Sequence, residues 1–261
     1  MLYEPYEIEI SQKTLEKIFK YLRRFFCLLG GWAVYLTVND NFKSSEGRDY
    51  TGSRDIDLGF HIDKNWGDEQ LIESPFAHSL STLKELRFKP ISFRLVKHFH
   101  KETREELGEE AKRISPHLIF SLYVDPVVDF IHPSIKETFG FTPVDEPLLS
   151  LVFEENLFKS DNIFGTRTML PLPEMLLATK LSAVLMRDEE HKRIKDICDI
   201  YSLLWYSDEE LKSLKKKLHT IYSEKKTKEV ASSFNKRDLL RVSRVLGIET
   251  ELIETVLSEL L

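Results

Sequence analysis

Apolar residues follow helical and alternating periods in turn in the N-terminal two thirds of this chain, and a helical period in the C-terminal third. Residues 12–24 and 68–87 have apolar positions three or four apart and predict helices, the second with room for a break at Pro75. Residues 54–60 alternate polar and apolar side chains and predict a strand. From Pro173 onward the period is helical throughout. Helices are predicted there at 173–187, 190–206, 208–222, 236–246 and 250–260.

Short apolar runs between polar stretches predict the remaining strands. The run 25–29 predicts a buried strand that Gly30 and Gly31 end, with a short helix over 32–38 after it. The polar stretch 39–53, rich in Asn, Asp and Ser, predicts a long exposed loop. Further strands are predicted at 93–96, within 118–131 and as a pair within 149–170, and a charged loop at 101–113.

Strands followed by helices are typical of an α+β fold. We expect a mixed β-sheet flanked by helices in a core domain of residues 1–167, followed by a C-terminal helical domain of residues 168–261. The active site is expected in the cleft between these two domains.

The composition excludes two classes of protein. Hydrophobic residues make up 42% of the 261 residues, which excludes a disordered chain. There are 37 Lys and Arg against 43 Asp and Glu, so the chain is not a polycation that coats nucleic acid without specificity. The segment 207–244 nevertheless has eleven basic and six acidic residues. Its part 212–244 is interpreted either as a surface for an RNA backbone or as a solvated helical face.

Cysteine usage and hydropathy indicate a cytoplasmic protein without membrane association. Cys27 and Cys198 lie in apolar patterns and are interpreted as small core residues in a reducing compartment. The N-terminus is acidic, unlike the basic start of a signal peptide. The longest uncharged apolar run, the twelve residues 25–36, is too short to span a bilayer.

Gly30 and Gly31 are the first candidate for chemistry, because they join a predicted strand to a predicted helix. Glycines let a ligand approach the backbone closely, and a helix N-terminus offers free N–H groups to a phosphate. The alternative is an ordinary tight turn.

Acidic residues on two predicted strands are the second candidate. Asp55 and Asp57 are two residues apart on one strand and therefore point to the same face. Oxygen ligands of this kind suit Mg²⁺, which also binds substrate phosphates; the alternative is the solvated face of an edge strand. Asp129 is a single acid in an otherwise apolar stretch, and a metal shared with Asp55 and Asp57 would compensate its burial. The alternative for Asp129 is a strand end that reaches water.

Lys180 lies on the flank of the apolar stripe of its predicted helix, so its ammonium has either to reach water or to meet an anion. That anion is either a carboxylate on the next helix or a nucleotide phosphate. On the next helix, Asp196 lies nearer the apolar stripe than Asp199 does. Surface charge is the alternative for both, and it is favoured for Asp199.

Taken together, these residues resemble the nucleotidyltransferase superfamily of DNA polymerase β type. Its signature is a Gly-Gly or Gly-Ser turn, a strand with Asp-x-Asp and a third acid on a later strand. The matching residues here are Gly30, Gly31, Asp55, Asp57 and Asp129. The stretches 172–181 and 195–200, with Arg187 between them, resemble the branch of AbiEii toxin nucleotidyltransferases and their MenT-like relatives.

The sequence departs from the family pattern at two points. Gly31 stands where many members have Ser, which removes one hydroxyl donor to phosphate. Gly31 and Asp55 are also separated by 23 residues, more than is usual, an excess that the predicted loop 39–53 would absorb.

The resemblance implies transfer of a nucleoside monophosphate from an NTP to an acceptor hydroxyl, with Mg²⁺ or Mn²⁺ as cofactor in a two-metal arrangement. The implied metal ligands are Asp55, Asp57 and Asp129, and Lys180 and Asp196 complete the catalytic set. The implied nucleotide-binding residues are Gly30, Gly31, Ser53, Arg54 and Lys180.

Three possibilities for the partner molecule stay open. In the first, the acceptor is RNA, such as a tRNA end held by 212–244, and the chain is a toxin that an antitoxin protein binds. In the second, the acceptor is a small hydroxylated molecule, as in antibiotic-modifying relatives. In the third, the chain is a degenerate nucleotide-binding module without catalysis. A metal site at His98 and His100 is a weaker interpretation than two exposed strand histidines.

Overall fold

The computed structural model describes residues 2–22 and 26–261. The helices and strands are, in chain order, α1 (Pro5–Tyr21), β1 (Cys27–Leu29), α2 (Gly30–Glu46), β2 (Ile56–Phe60), α3 (Asp68–Ile72), α4 (Pro75–Glu85), β3 (Lys89–Ile91), β4 (Arg94–His100), β5 (Glu106–Leu107), β6 (Ile119–Val128), α5 (Ile135–Phe139), β7 (Val144–Asp145), α6 (Leu149–Glu154), β8 (Phe158–Ile163), β9 (Thr166–Pro171), α7 (Pro173–Val184), α8 (Glu190–Tyr206), α9 (Leu211–Ile221), α10 (Glu224–Ser232), α11 (Lys236–Leu246) and α12 (Thr250–Ser258).

The strands of the described residues form one mixed sheet in the order β3-β4-β6-β2-β1-β9-β8, with β5 on β4 and β7 on β6. β2 and β6 are parallel neighbours, whereas β1 pairs antiparallel with β2, and β4 antiparallel with β6. The structure therefore confirms the predicted fold class, an α+β chain with a mixed sheet and C-terminal helices. Parallel strands at the centre of a sheet are buried on both faces, which explains the continuous burial at the end of β6.

Several predicted elements differ at their ends. The helix predicted over 12–24 begins seven residues earlier, at Pro5, where Glu4 and Glu7 form a capping box. Arg23 and Arg24, assigned to that helix, and Phe25, assigned to the first strand, lie outside the described residues.

The prediction of an exposed loop over 39–53 was wrong for its first half, because α2 continues to Glu46. Phe42 is fully buried there and its ring lies 5.2 Å from that of Tyr50 and 5.0 Å from that of Tyr206. The polar residues around Phe42 occupy the solvent side of the helix. A single buried aromatic residue in a polar stretch is too weak a periodic signal to predict a helix.

The strand pair predicted within 149–170 is confirmed as β8 and β9. The remaining differences concern helices that the sequence pattern did not predict, such as α6 at Leu149–Glu154. α10 was not predicted, because only Thr227, Val230 and Ala231 of its side chains are buried.

The chain divides into two compact units. The sheet unit consists of Tyr3–Trp32 and Gly52–Pro171, and the helical unit contains Ala33–Thr51 and Leu172–Leu261. The division falls within α2, after Trp32.

Two further predictions concern membrane-spanning segments and the state of the two cysteine thiols. In the described ranges, no helix is both long enough and apolar enough to cross a membrane. Cys27 and Cys198 are free and buried, as predicted for small core residues, and burial raises the pKa of both thiols. They are therefore inert thiols.

Candidate functional site

Gly30 and Asp57 are in close contact in the sheet unit. The antiparallel pairing of β1 with β2 sets Leu29 opposite Asp57, so the next residue, Gly30, starts α2 beside the Asp57 carboxylate. Gly30 has a φ of +63°, and a Cβ added to it would lie 1.8 Å from Oδ2 of Asp57. Only glycine meets both conditions without displacing the carboxylate. The structure thus brings the Gly-Gly turn and the Asp-x-Asp strand together, as their assignment to one site requires.

The first turn of α2 adds hydrogen-bond donors at the same place. Gly30 and Gly31 are its first two residues, and the first N–H groups of a helix have no acceptor within the helix. The partial positive charge at this end stabilises an anion, either the Asp57 carboxylate or a phosphate.

Asp125 is the third carboxylate of this region, and sequence analysis did not identify it. The parallel pairing of β2 with β6 sets Asp57 directly beside Asp125, so the two side chains share one face. Asp125 is 8% exposed. It lies in the same apolar stretch as Asp129, and only the register between the strands distinguishes the two acids.

Arg94 extends this row by one more strand. The antiparallel pairing of β4 with β6 brings Arg94 next to Asp125, and the guanidinium donates from Nε to Oδ1 at 2.9 Å and from Nη2 to Oδ2 at 2.5 Å. Burial alone would lower the pKa of Arg94, but Asp125, and then Asp55 and Asp57, outweigh it and raise that pKa above its ordinary value. A permanent positive charge therefore lies among the three carboxylates.

Asp129 is not with Asp55 and Asp57. β6 ends at Val128, and Asp129 follows Asp125 by four residues, which is about 13 Å along the strand direction. Its Oδ1 accepts a hydrogen bond from the backbone N–H of Ile62 at 2.8 Å, and its Oδ2 is hydrogen-bonded to Nδ1 of His61 at 2.5 Å. This buried acid holds the loop that follows β2.

Ser53 and Arg54 directly precede Asp55 in the sheet unit. Ser53 is buried. Arg54 lies 3.4 Å from the carboxylate of Glu7 and 5.4 Å from the ring centre of Phe120. The positive charge of Arg54 is therefore directed toward α1, so Arg54 is not free to bind a phosphate.

The acidic residues suit a hard cation that substrate phosphates and water also bind. Among residues 2–22 and 26–261, no group of three or more His, Cys, Asp or Glu side chains is arranged to hold a metal ion, and this includes His98 and His100. Mg²⁺ is commonly held by only one or two carboxylates together with substrate phosphates and water. Asp55 and Asp57 fit that mode, because Arg94 takes both oxygens of Asp125.

Lys180 and Asp196 belong to the helical unit, where they lie in a buried ion network. Nζ of Lys180 is 2.8 Å from Oδ1 of Asp196 and 2.7 Å from Oδ2 of Asp199. Arg187 donates to Oδ2 of Asp196 at 2.6 Å, and the hydroxyl of Tyr50 donates to Oδ1 of Asp199 at 2.7 Å. Lys180 thus meets carboxylates of the next helix.

The interpretation of Asp199 as surface charge was wrong, because Asp199 is 0% exposed. It bonds Tyr50, Lys180 and also Lys195, whose ammonium lies 5.0 Å from the ring centre of Tyr50. A helical wheel orders positions by angle around one helix, whereas the burial of Asp199 comes from the segment that contains Tyr50.

Both members of the central ion pair are held in their charged forms. Burial would lower the pKa of Lys180, but Asp196 and Asp199 outweigh it and raise that pKa. Burial would raise the pKa of Asp196, but Lys180 and Arg187 outweigh it and lower that pKa.

The basic segment 212–244 forms α9, α10 and α11 of the helical unit. Some of its cations are engaged: Lys217 with Glu209, Lys228 with Glu224, and Arg241 with Glu190. Lys215 donates to the backbone carbonyl of Glu259. The exposed cations that form no ion pair with any residue the structure describes are Lys212, Lys216, Lys225, Lys226, Lys236 and Arg244.

Comparisons with known proteins give a likeness at the level of solved structures. No protein-family model matches the chain. No curated protein matches it significantly. Among solved structures, the chain is similar to the crystal structure of an antigenic nucleotidyltransferase-like protein from Paracoccidioides brasiliensis, with a TM-score of 0.40 and 16% sequence identity over 94% of this chain and 93% of that chain.

Proposed function

We propose that this protein is a metal-dependent nucleotidyltransferase that moves a nucleoside monophosphate from an NTP to an acceptor hydroxyl. One observation carries the proposal. Asp57 lies in register with Asp125 and against Gly30, so carboxylates and the free N–H groups at the start of α2 meet at one end of β2. Acids that hold a hard cation and N–H groups that hold phosphate are the two requirements for binding a metal–triphosphate.

The site residues of the sheet unit have distinct roles in this proposal. Asp55 and Asp57 would hold Mg²⁺ or Mn²⁺, which supplies positive charge to the phosphates when bound. The N–H groups of Gly30 and Gly31 donate to phosphate oxygens. The third position of the acidic set goes to Asp125 rather than Asp129, because Asp125 is the acid beside Asp57.

The reaction forms a bond between the acceptor oxygen and the α-phosphorus and breaks the bond from that phosphorus to the pyrophosphate oxygen. The chain contributes position and electrostatics, as in other phosphoryl transfers. Lys180 and Asp196 receive a structural role here, because the charge of Lys180 is already directed to Asp196 and Asp199.

RNA is the acceptor that the surface of the helical unit favours. Six exposed cations on or beside α9, α10 and α11 form no ion pair among the described residues, although the whole chain has a formal charge of −6. Cations that no carboxylate neutralises are available to phosphates of a nucleic-acid backbone.

Calorimetry of NTP binding with and without Mn²⁺ tests the nucleotide site. The wild type is expected to bind NTP in a Mn²⁺-dependent manner, and Asp57→Asn is expected to weaken that binding at least tenfold. Asp161→Asn is the matched control, because Asp161 is an exposed acid on β8 of the same unit. Equal Mn²⁺-dependent binding by wild type and Asp57→Asn would place the site elsewhere.

A labelled-NTP assay identifies the acceptor. Label transferred to bulk tRNA supports the RNA acceptor. Label found only in small hydroxylated compounds, with aminoglycosides as the probe, contradicts it while leaving nucleotidyl transfer intact.

A further inference from the structure

We propose that the sheet unit contains a second ligand site, for a small organic diamine, in the cavity beside His61 and Asp129. The cavity has a volume of about 370 Å³, which lies in the size range of small-molecule sites. His61 directly follows β2 and comes four residues after Asp57, which is about 13 Å along the strand direction. The cavity is therefore separate from the proposed nucleotide site, and the inference goes beyond the proposed function.

The fixed orientation of the His61 ring is the first step of the argument. Nδ1 of His61 lies 2.5 Å from Oδ2 of Asp129, whose Oδ1 accepts the backbone N–H of Ile62 at 2.8 Å. The Asp129 side chain is only 2% exposed. The imidazole also contacts two aromatic rings, with centre-to-centre distances of 5.5 Å to Phe153 and 6.1 Å to Trp66. The ring is thus held in place by a buried carboxylate and by neighbours on its own unit.

The second nitrogen of this ring is the next step. A carboxylate accepts hydrogen bonds, so Nδ1 of His61 carries the proton of the contact with Asp129, and Nε2 of the neutral ring is an acceptor. Nε2 of His61 has no hydrogen-bond partner among the residues that the structure describes, and the side chain is 35% exposed. His132 differs, because its Nδ1 accepts from the N–H of Ser134 and its Nε2 donates to the carbonyl of Trp66. His132 has a structural role, whereas His61 offers one nitrogen to a ligand with an N–H donor.

The charged groups of the cavity are the third step. Asp63 and Glu154 line it together with Asp129, and neither of the two forms an ion pair with any residue in the described ranges. Oδ1 of Asp63 accepts two hydrogen bonds from Asn65, at 2.8 Å and 3.0 Å, which leaves Oδ2 for a ligand. Lys64 is the lysine of the lining. Carboxylates outnumber ammonium groups there, so a cationic ligand is favoured over an anionic one.

The apolar part of the lining narrows the class of ligand. Phe130 lines the cavity and is 37% exposed. Aromatic rings attract ammonium groups and pack against methylene groups. The carboxylates come from separate segments, since Asp63 follows β2 and Glu154 ends α6. A linear diamine has an ammonium group for each carboxylate, an N–H donor for Nε2 of His61 and a methylene chain for the ring of Phe130.

NMR of the histidine ring signals tests the inference on the full chain, without nucleotide. The probes are hexane-1,6-diamine, hexane-1,6-diol and adipate, which share a chain length and have positive, neutral and negative ends. They are titrated at constant pH and constant ionic strength. We expect the diamine to shift the ring signals of His61 saturably, and we expect the diol and adipate to leave them unchanged.

Three variants make the result specific. Glu154→Gln removes one carboxylate from an exposed side chain and is expected to weaken diamine binding about fivefold, as for a solvent-accessible charge pair. Glu155→Gln changes the neighbouring exposed acid, which does not line the cavity, and is the matched control. Lys64→Met is expected to strengthen diamine binding, because it removes an ammonium group that repels the ligand.

The inference is overturned if no probe shifts the His61 signals saturably, or if the diol or adipate shifts them as the diamine does. Saturable shifts with adipate that Lys64→Met abolishes would assign the cavity to an anion instead. Equal diamine affinity in wild type and Glu154→Gln would also contradict it. The wild-type titrations need no variant, and they contain no nucleotide. Each of these outcomes therefore leaves the proposed nucleotidyl transfer standing, and a loss of NTP binding by Asp57→Asn leaves this site standing.

Discussion

At the scale of single residues, Gly30 is under the strictest constraint in the sheet unit. It combines a positive φ with a carboxylate where a Cβ would be. Most positions tolerate alanine because their backbone dihedral angles are common ones and neighbouring atoms can move aside. Gly30 meets neither condition. Gly30 therefore links the stability of the sheet to the position of Asp57.

Gly30→Ala is expected to destabilise the protein by more than the backbone cost alone. A non-glycine residue in the left-handed region costs about 1–2 kcal/mol, and displacing the Asp57 carboxylate adds to it. Gly140→Ala is the matched control, since Gly140 has a φ of +81° and nothing within 4 Å of an added Cβ. Urea unfolding measures both free energies. Equal losses at the two positions would mean that the contact with Asp57 is not a constraint.

Lys180 shows how a buried charge depends on its partners. A lysine that only stretches toward water would tolerate methionine well. Lys180 instead is 8% exposed and lies between two carboxylates that are themselves buried. Its removal leaves those negative charges with less compensation.

We therefore expect Lys180→Met to lower the free energy of unfolding by about 3–5 kcal/mol, the usual cost of breaking a buried ion pair from one side. Lys228→Met is the control, because its ion pair with Glu224 is exposed and screened by solvent, so a much smaller loss is expected. Chemical denaturation gives both values. A Lys180→Met protein as stable as Lys228→Met would show that the network contributes nothing to folding.

At the scale of elements, register decides which acids belong together. β2 and β6 are parallel, and their pairing joins Asp57 to Asp125 while Asp129 falls beyond the end of β6. A shift of β6 by one residue would turn its side chains to the opposite face. The candidate site is therefore a property of strand pairing and not of either strand alone.

Helices α9 and α10 carry the element-scale prediction about RNA. Changing Lys212, Lys216, Lys225 and Lys226 together to Gln is expected to weaken RNA binding and to flatten its dependence on salt. Four phosphate contacts to a single strand correspond to a log–log slope of about −3, which these changes would remove. NTP binding is expected to stay unchanged, because the proposed nucleotide site lies in the sheet unit.

The control for this experiment changes lysines that already have partners. These are Lys215, Lys217 and Lys228. Fluorescence anisotropy of a labelled RNA across salt concentrations measures both slopes. Equal slopes for the quadruple and the triple variant would show that Lys212, Lys216, Lys225 and Lys226 do not bind RNA phosphates.

At the scale of the whole molecule, the helical unit is built from two separate stretches of chain. Ala33–Thr51 is grouped with Leu172–Leu261. Phe42 of the first stretch contacts Tyr206 of the second, and Tyr50 donates a hydrogen bond to Asp199. A contiguous domain 168–261 would lack these partners.

The fragment 168–261 alone is therefore expected to unfold without a cooperative transition. A polypeptide in which 33–51 is joined to 172–261 by a flexible linker is expected to recover one, because it restores Phe42 and Tyr50. Circular dichroism during thermal unfolding measures both. A cooperative transition of equal midpoint in the two polypeptides would favour the contiguous domain.

Local patterns were sufficient for the parts of this protein that depend on one segment. The helix predicted over 190–206 is α8, with the same bounds, and the helix predicted over 236–246 is α11. Both have apolar residues at helical spacing, so the period along the chain carries the information even in α8, which is buried on all sides from Ile194 to Leu204. The pairing of Gly30 with Asp57 was also accessible, because glycine and same-face acids are distinctive residue types for those positions.

Tertiary structure alone decided the identity of the third acid and the partners of the buried charges. Asp125 and Asp129 are equivalent in the sequence, two acids in one apolar stretch, and only the pairing of β6 with β2 and β4 separates them. Asp199 is buried because Lys180 and Tyr50 come to it from other segments. Periodicity shows which face of its own helix or strand a side chain occupies. Desolvation and charge pairing depend instead on the segments that pack against that helix or strand, and the local sequence does not specify those segments.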